Sequence, residues 1–201
     1  FFDITGEVSA AELLVGFNRY ELEIGFGRGR FIRGRAQGNP DVGILGIETK
    51  RKLVYLCEEK SKKAGLKNLC VMHGDAREVV TRMEPNEFFS NVFVNFPDPW
   101  WKARHQKRKV VSDDLTSQVV RLLKPGGMYF VQTDVDFRAE EYWALLNGNS
   151  ELIPMGEGGF VDENPFGATS SRESRAEELG MQVYRLLFEK KVPKKDGEIY
   201  P

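Results

Sequence analysis

The sequence is poor in the residues that build cross-linked or metal-bound folds. It has two cysteines, Cys57 and Cys70, and two histidines, His73 and His105, in 201 residues. Thiols and imidazoles this sparse and scattered make neither a disulfide framework nor a zinc ligand set, so no metal is expected and the thiols read as reduced structural groups. No apolar run approaches the ~18 residues of a membrane span. No signal peptide is visible, and the chain opens at Phe1 without Met; a cytoplasmic protein is expected. Neither sign of charge dominates, since 29 Lys and Arg face 30 Asp and Glu for a net charge of −1. The overall balance therefore does not call for a polyanionic partner. Any such case rests on where the cations sit. Repeats, linkers and low-complexity stretches are also missing.

What is present is a steady alternation of strand-like and helix-like segments. Apolar runs at 20–25, 42–48, 69–73, 91–96 and 128–133 read as strands, with weaker strand patterns at 151–155 and 183–190. Amphipathic or capped stretches at 29–37, 50–64, 75–83, 112–123, 137–146 and 173–179 read as helices. Pro125-Gly126-Gly127 is expected to stop the fourth of these. This length suits one α/β domain over 1–201, opening with a short segment, 1–19. Alternating strands and helices argue for a mostly parallel sheet with helices on both faces. Such sheets bind ligands at the carboxyl ends of their strands, near the switch in strand order. The segment 156–171, rich in Gly, Ser and acidic residues, reads as a long loop and a candidate lid.

The first strand runs into Glu23-Ile24-Gly25-Phe26-Gly27-Arg28-Gly29. Glycines at alternate positions permit a sharp turn and close approach of a ligand to the backbone. The spacing is G-x-G-x-G, not the G-x-G-x-x-G of dinucleotide sites, which hold a pyrophosphate at a helix N-terminus. It resembles motif I of the class I S-adenosylmethionine-dependent methyltransferases. That cofactor has no phosphate but carries an ammonium and a sulfonium, which Glu23 suits. Glu48 closes the second strand, where a carboxylate accepts from ribose hydroxyls; the alternative is a solvent-facing strand end. Asp75, beside Ala76, is placed to read an adenine edge, to cap the following helix, or both. Asn95 and Phe96 end the fourth strand and would lie near the methionine portion.

The next residues are Pro97-Asp98-Pro99-Trp100-Trp101-Lys102-Ala103-Arg104-His105-Gln106-Lys107-Arg108-Lys109. Prolines on both sides stiffen Asp98. The cations that follow offset phosphate charge, and the tryptophans stack on an exposed base or pack in the core. This stretch resembles the signature of bacterial tRNA (guanine-N7-)-methyltransferases, the TrmB family, whose pattern is roughly P-D-P-W-x-K-x-R-H-x-K-R-R. Lys109 replaces the last Arg. Thr133-Asp134 resembles a second family segment. Ser170-Ser171-Arg172-Glu173-Ser174-Arg175 resembles a third, T-x-x-E-x-R, although Thr169 offers a threonine one residue early.

The resemblance, from about residue 20 to 190, implies a Rossmann-like class I methyltransferase fold with a mostly parallel seven-stranded sheet. It implies transfer of a methyl group from S-adenosylmethionine to N7 of a guanine in tRNA, in the variable loop, leaving S-adenosylhomocysteine. Carried over by position, Gly25, Gly27, Gly29, Glu23, Glu48, Asp75, Ala76, Asn95 and Asp98 line the cofactor site, with Asp98 also at the catalytic centre. Lys102, Asp134, Ser170 and Glu173 meet the guanosine, and Arg104, His105, Lys107 and Arg108 meet phosphates or position the loop. Guanine N7 carries a lone pair and no proton, so Asp98, Asp134 and Glu173 are expected to orient the base, not to remove a proton. Rival readings are a small-molecule methyltransferase, which leaves the basic run unexplained, and a non-catalytic RNA-binding protein on the same fold. An NAD-dependent oxidoreductase is disfavoured by the glycine spacing. Monomer and homodimer stay open.

Overall fold

In chain order, the computed structural model describes residues 6–98 and 109–193. Its first half comprises β1 (Val8–Ser9), α1 (Ala10–Leu13), β2 (Arg19–Ile24), α2 (Arg30–Gly38), β3 (Val42–Glu48), α3 (Arg51–Lys63), β4 (Leu69–His73), α4 (Ala76–Thr81), β5 (Met83–Glu84) and β6 (Phe89–Asn95). The second half comprises α5 (Asp113–Leu122), β7 (Leu123–Thr133), α6 (Asp136–Asn147), β8 (Leu152–Pro154), α7 (Ser171–Glu178) and β9 (Tyr184–Lys190). None of the described helices is long and apolar enough to cross a membrane.

Seven strands form one sheet in the order β4-β3-β2-β6-β7-β9-β8. The first five pair in parallel, and β9 runs antiparallel to both β7 and β8. The chain steps outward from β2 to β4, then crosses back to the other side of β2 at β6. The ends of β2 and β6 are therefore the switch point, where the crossovers part and leave a crevice.

Alternation along the strands sorts the two faces. Leu22, Ile24, Val92, Val94, Tyr129, Val131, Leu186 and Phe188 enter the larger core with Val79, Val119, Tyr142 and Leu146 from α4, α5 and α6. On the opposite face Ile44 and Val71 pack with Ile32, Ala36, Val54 and Cys57 from α2 and α3. Phe93 and Phe130 meet Phe31 and Ala168 there. The same face also buries Glu21, Glu23, Asn95 and Gln132, each of which needs a partner away from water.

Glu21 has one. Arg35 of α2 donates to it at 2.6 and 3.0 Å, and Asn91 donates at 2.7 Å. Arg35 Nη1 also donates to the Phe166 carbonyl. The Phe166 ring sits 4.8 Å from that of Phe93 and 5.1 Å from that of Phe130. The segment expected as a lid is thus docked on the sheet, because Phe166 and Ala168 supply apolar cover for Phe93 and Phe130.

Two further features depart from expectation. β7 starts before Pro125-Gly126-Gly127 instead of after it, because Leu123 already pairs with Phe89 and the register shifts before Met128 meets Asn91. The N-terminal segment, given no role by the sequence, pairs Val8 with Met83 in a separate two-stranded parallel sheet, β1-β5.

Candidate active site

A cleft of about 700 Å³ opens at the carboxyl ends of β2, β3, β4, β6 and β7. It is lined by Glu23, Gly25, Gly27, Glu48, Asp75, Ala76, Asn95, Asp98, Asp134 and Ser170, so most of the expected site residues come together. Residues 99–108 lie outside the described residues. The expected phosphate and guanosine contacts Lys102, Arg104, His105, Lys107 and Arg108 fall there with Trp100 and Trp101. Among the described residues, no group of three or more His, Cys, Asp or Glu is arranged to hold a metal ion.

The glycine turn is built from left-handed backbone, with φ of 73°, 55° and 69° at Gly25, Gly27 and Gly29. Gly25 N–H donates to the Ile47 carbonyl at 2.8 Å, which pins the turn to β3. Gly27 N–H donates to Glu48 Oε2 at 2.9 Å. The other oxygen of Glu48 accepts from Lys50 N–H at 2.9 Å and the Thr49 hydroxyl at 3.1 Å. These donors fix the carboxylate at the cleft wall, and its remaining lone pairs suit hydroxyl donors. Gly29 does not line the cleft. A Cβ there would lie 2.4 Å from Cys57 Sγ, so this glycine lets the start of α2 pack on α3.

Glu23 is 1% exposed, yet only one of its oxygens is bonded. Oε1 accepts from Asn95 Nδ2 at 2.9 Å, and Oε2 has no hydrogen-bond partner among the described residues. Burial raises its pKa to about 8; the amides of Asn95 and Ile32 partly offset this, and the nearby Glu48 charge adds to it. An opposite charge brought beside Glu23 would favour its ionised form. Asp75 takes the capping alternative. It accepts from Arg77 N–H at 3.0 Å, and the Arg77 guanidinium, 2.5 Å away, holds its pKa below the ordinary value.

Beyond β6 the backbone turns abruptly. Phe96 has φ of 51° while its N–H donates to the Gln132 carbonyl at 2.8 Å. Left-handed backbone at a bulky residue costs about 1–2 kcal/mol and persists only where neighbours enforce it. The turn brings Asp98 to the cleft wall. Opposite, the Asp134 side chain is 7% exposed and accepts from Arg172 of α7 at 2.7 and 2.5 Å.

Ser170 caps α7, and with Glu173 it forms a reciprocal capping box. Ser170, and not Thr169, is the residue that caps the helix. The capping box also removes Glu173 from its expected place. Glu173 is 1% exposed and does not line the cleft. Its carboxylate instead accepts from Ser170 N–H at 3.3 Å, Asn164 at 3.2 Å, Gln132 at 3.4 Å and Arg185 at 3.2 Å.

A family model described as putative methyltransferase matches residues 18–186. A tRNA (guanine-N(7)-)-methyltransferase of Anaeromyxobacter dehalogenans is 38% identical over 172 residues, covering 86% of each chain. Proteins of the same description from a Nostoc species and a Synechocystis species are 34% and 35% identical, cover 84% of this chain, and are themselves covered over 78% and 81%. The chain belongs to the tRNA (guanine-N7-)-methyltransferase family.

This methyltransferase has the class I fold. It superposes on the 16S rRNA methyltransferase KamB with a TM-score of 0.61 at 16% identity, covering 94% and 97% of the two chains. The [4+2]-cyclase SpnF gives 0.63 at 17% identity, covering 91% and 78%. A cyclase on this architecture shows that the fold leaves the chemistry to the site.

Sequence reasoning missed three parts of the methyltransferase's site. Phe96 was read as a neighbour of the ligand, not as the strained hinge that delivers Asp98. Arg172, which holds Asp134, was visible only as an unassigned position of a motif. Gln132 reads as an ordinary strand residue, and the one available signal was its place on the polar face in step with Glu23 and Asn95.

Proposed function

We propose that the cleft binds S-adenosylmethionine and that the chain transfers its methyl group to N7 of a guanine in tRNA, releasing S-adenosylhomocysteine. The observation that carries the reading is the unpartnered buried oxygen of Glu23, at the switch point of a chain in the guanine-N7 family. Its chemistry fits an ammonium group. Glu48 suits the ribose hydroxyls, and the Asp75–Ala76 turn suits the adenine edge through its backbone, since the Asp75 carboxylate is engaged by Arg77. When bound, the cofactor supplies a methyl group already activated on a sulfonium.

The chain's residues then have to position, not to abstract a proton, because guanine N7 offers a lone pair and carries none. Holding an acceptor in line with a methyl group is worth roughly 7–11 kcal/mol. Asp98 and Asp134 orient the base by accepting from its N1–H and exocyclic amine, and they offset the positive charge that forms on methylation. Arg172 sets the direction of Asp134. Glu173 serves by anchoring the start of α7, where Ser170 meets the cleft. Lys102 meets the guanosine, Arg104, His105, Lys107 and Arg108 hold phosphates or position the loop, and an aromatic of the Trp100–Trp101 pair stacks on the extruded base.

The atom methylated is tested with tRNA transcripts in which guanosine is replaced by 7-deazaguanosine. These should accept no methyl group while ordinary transcripts do. Equal transfer to both would move the reaction to another atom of the base.

A further inference from the structure

A line of side-chain hydrogen bonds crosses the buried face of the sheet from the cleft to α7. Asn95 joins its amide nitrogen to Glu23 Oε1 and its carbonyl oxygen to Gln132 Nε2, each at 2.9 Å. Gln132 Nε2 donates again, to Glu173 Oε2 at 3.4 Å, and Arg185 donates to Glu173 Oε1 at 3.2 Å. Glu23, Asn95, Gln132 and Glu173 are all buried.

The Glu173 end of the line, which Arg185 meets, fixes its direction. A carboxylate there only accepts, so Gln132 turns its amino group to Glu173 and donates from the same nitrogen to the Asn95 carbonyl, which leaves Asn95 its amino group for Glu23. The Oε1 of Gln132 is left buried with no partner among the described residues. Leaving such an oxygen unsatisfied costs about 1–3 kcal/mol, which a residue present only for packing would not incur. The donor half of this side chain is what the position uses.

We propose that Gln132 is a positioning residue for the cofactor carboxylate. By donating to Asn95 and Glu173 together, it holds Asn95 in the one amide orientation that bonds a single oxygen of Glu23 and leaves the other, also buried, unpartnered. The inference rests on the cofactor reading of that cleft.

A donor–acceptor series at this position tests it. Gln132→Lys donates only, Gln132→Met is of similar length and does neither, and Gln132→Glu accepts only. The readouts are the dissociation constant of S-adenosylhomocysteine by calorimetry, the thermal midpoint, and the split between cofactor KM and kcat. Gln132→Lys should stay within about threefold of the unaltered chain. Gln132→Met should bind about tenfold more weakly, the worth of one buried hydrogen bond, and keep kcat at saturating cofactor. Gln132→Glu should be weaker still; should it not fold, the contrast between Lys and Met decides. Unaltered affinity in Gln132→Met, or Gln132→Lys no better than Gln132→Met, overturns the assignment. Failure of the unaltered chain to bind S-adenosylhomocysteine is a separate outcome that overturns the cofactor reading and this inference with it.

Discussion

Cofactor binding should be coupled to ionisation of Glu23. With its pKa raised to about 8, this carboxyl is about one-tenth ionised at pH 7 in the free protein. A ligand ammonium group needs the ionised form, so its binding has to expel a proton. The dissociation constant of S-adenosylhomocysteine, which keeps the ammonium and lacks the sulfonium, should weaken by about 50-fold from pH 8 to pH 6, approaching tenfold per pH unit well below 8. Calorimetry in buffers of different ionisation enthalpy should register about one proton released per ligand at pH 6–7. Glu23→Gln should bind weakly at every pH, with a flat profile and no proton release. The raised pKa also carries a stability term of fixed sign. The fold favours the protonated acid, so this contribution is fully present below pH 4.5 and is lost as pH rises through about 8, amounting to something on the order of 4–5 kcal/mol. Ligand-free Glu23→Gln should therefore melt higher than the unaltered chain at pH 8.5, and alike at pH 4. An affinity that changes less than threefold between pH 6 and 8, with no proton released, would refute the reasoning.

Other consequences concern the frame around the cleft. Gly29→Ala should lose about 1–3 kcal/mol in denaturant unfolding, since its Cβ would meet Cys57 Sγ at 2.4 Å on left-handed backbone. Adding Cys57→Ala should recover only part, because the backbone strain stays. Arg35→Met should cost about 3–5 kcal/mol by leaving the Glu21 carboxylate buried without its cation, and the double change with Glu21→Leu should be less damaging than Arg35→Met alone. Phe166→Ala should cost about 2 kcal/mol and expose 156–171 to limited proteolysis, as the ring no longer docks that segment on Phe93 and Phe130.

What the sequence disclosed was whatever depends on neighbours along the chain. β3 and β4 occupy the residues expected of them, and Gly25 and Gly27 with Glu23 and Glu48 fall at the cleft. What it hid depends on distant partners or on very short elements. Glu173 looked like a base contact because an acid in that motif invites one, but the same spacing is a capping box whose carboxylate also meets Gln132, 41 residues away. Glu21 and Arg35 form a buried pair only because α2 lies over β2. A two-residue strand such as β1 has no period to detect. The Pro-Gly-Gly of β7 reads as a stop, although the sheet absorbs it as an irregularity.

The central claim is most directly tested by methyl transfer from labelled S-adenosylmethionine to unmodified tRNA, with nucleoside analysis of the product. The account predicts label in 7-methylguanosine for the unaltered chain, and its loss in Asp98→Ala. Intact binding of S-adenosylhomocysteine without transfer to tRNA, or label in any other nucleoside, would contradict it.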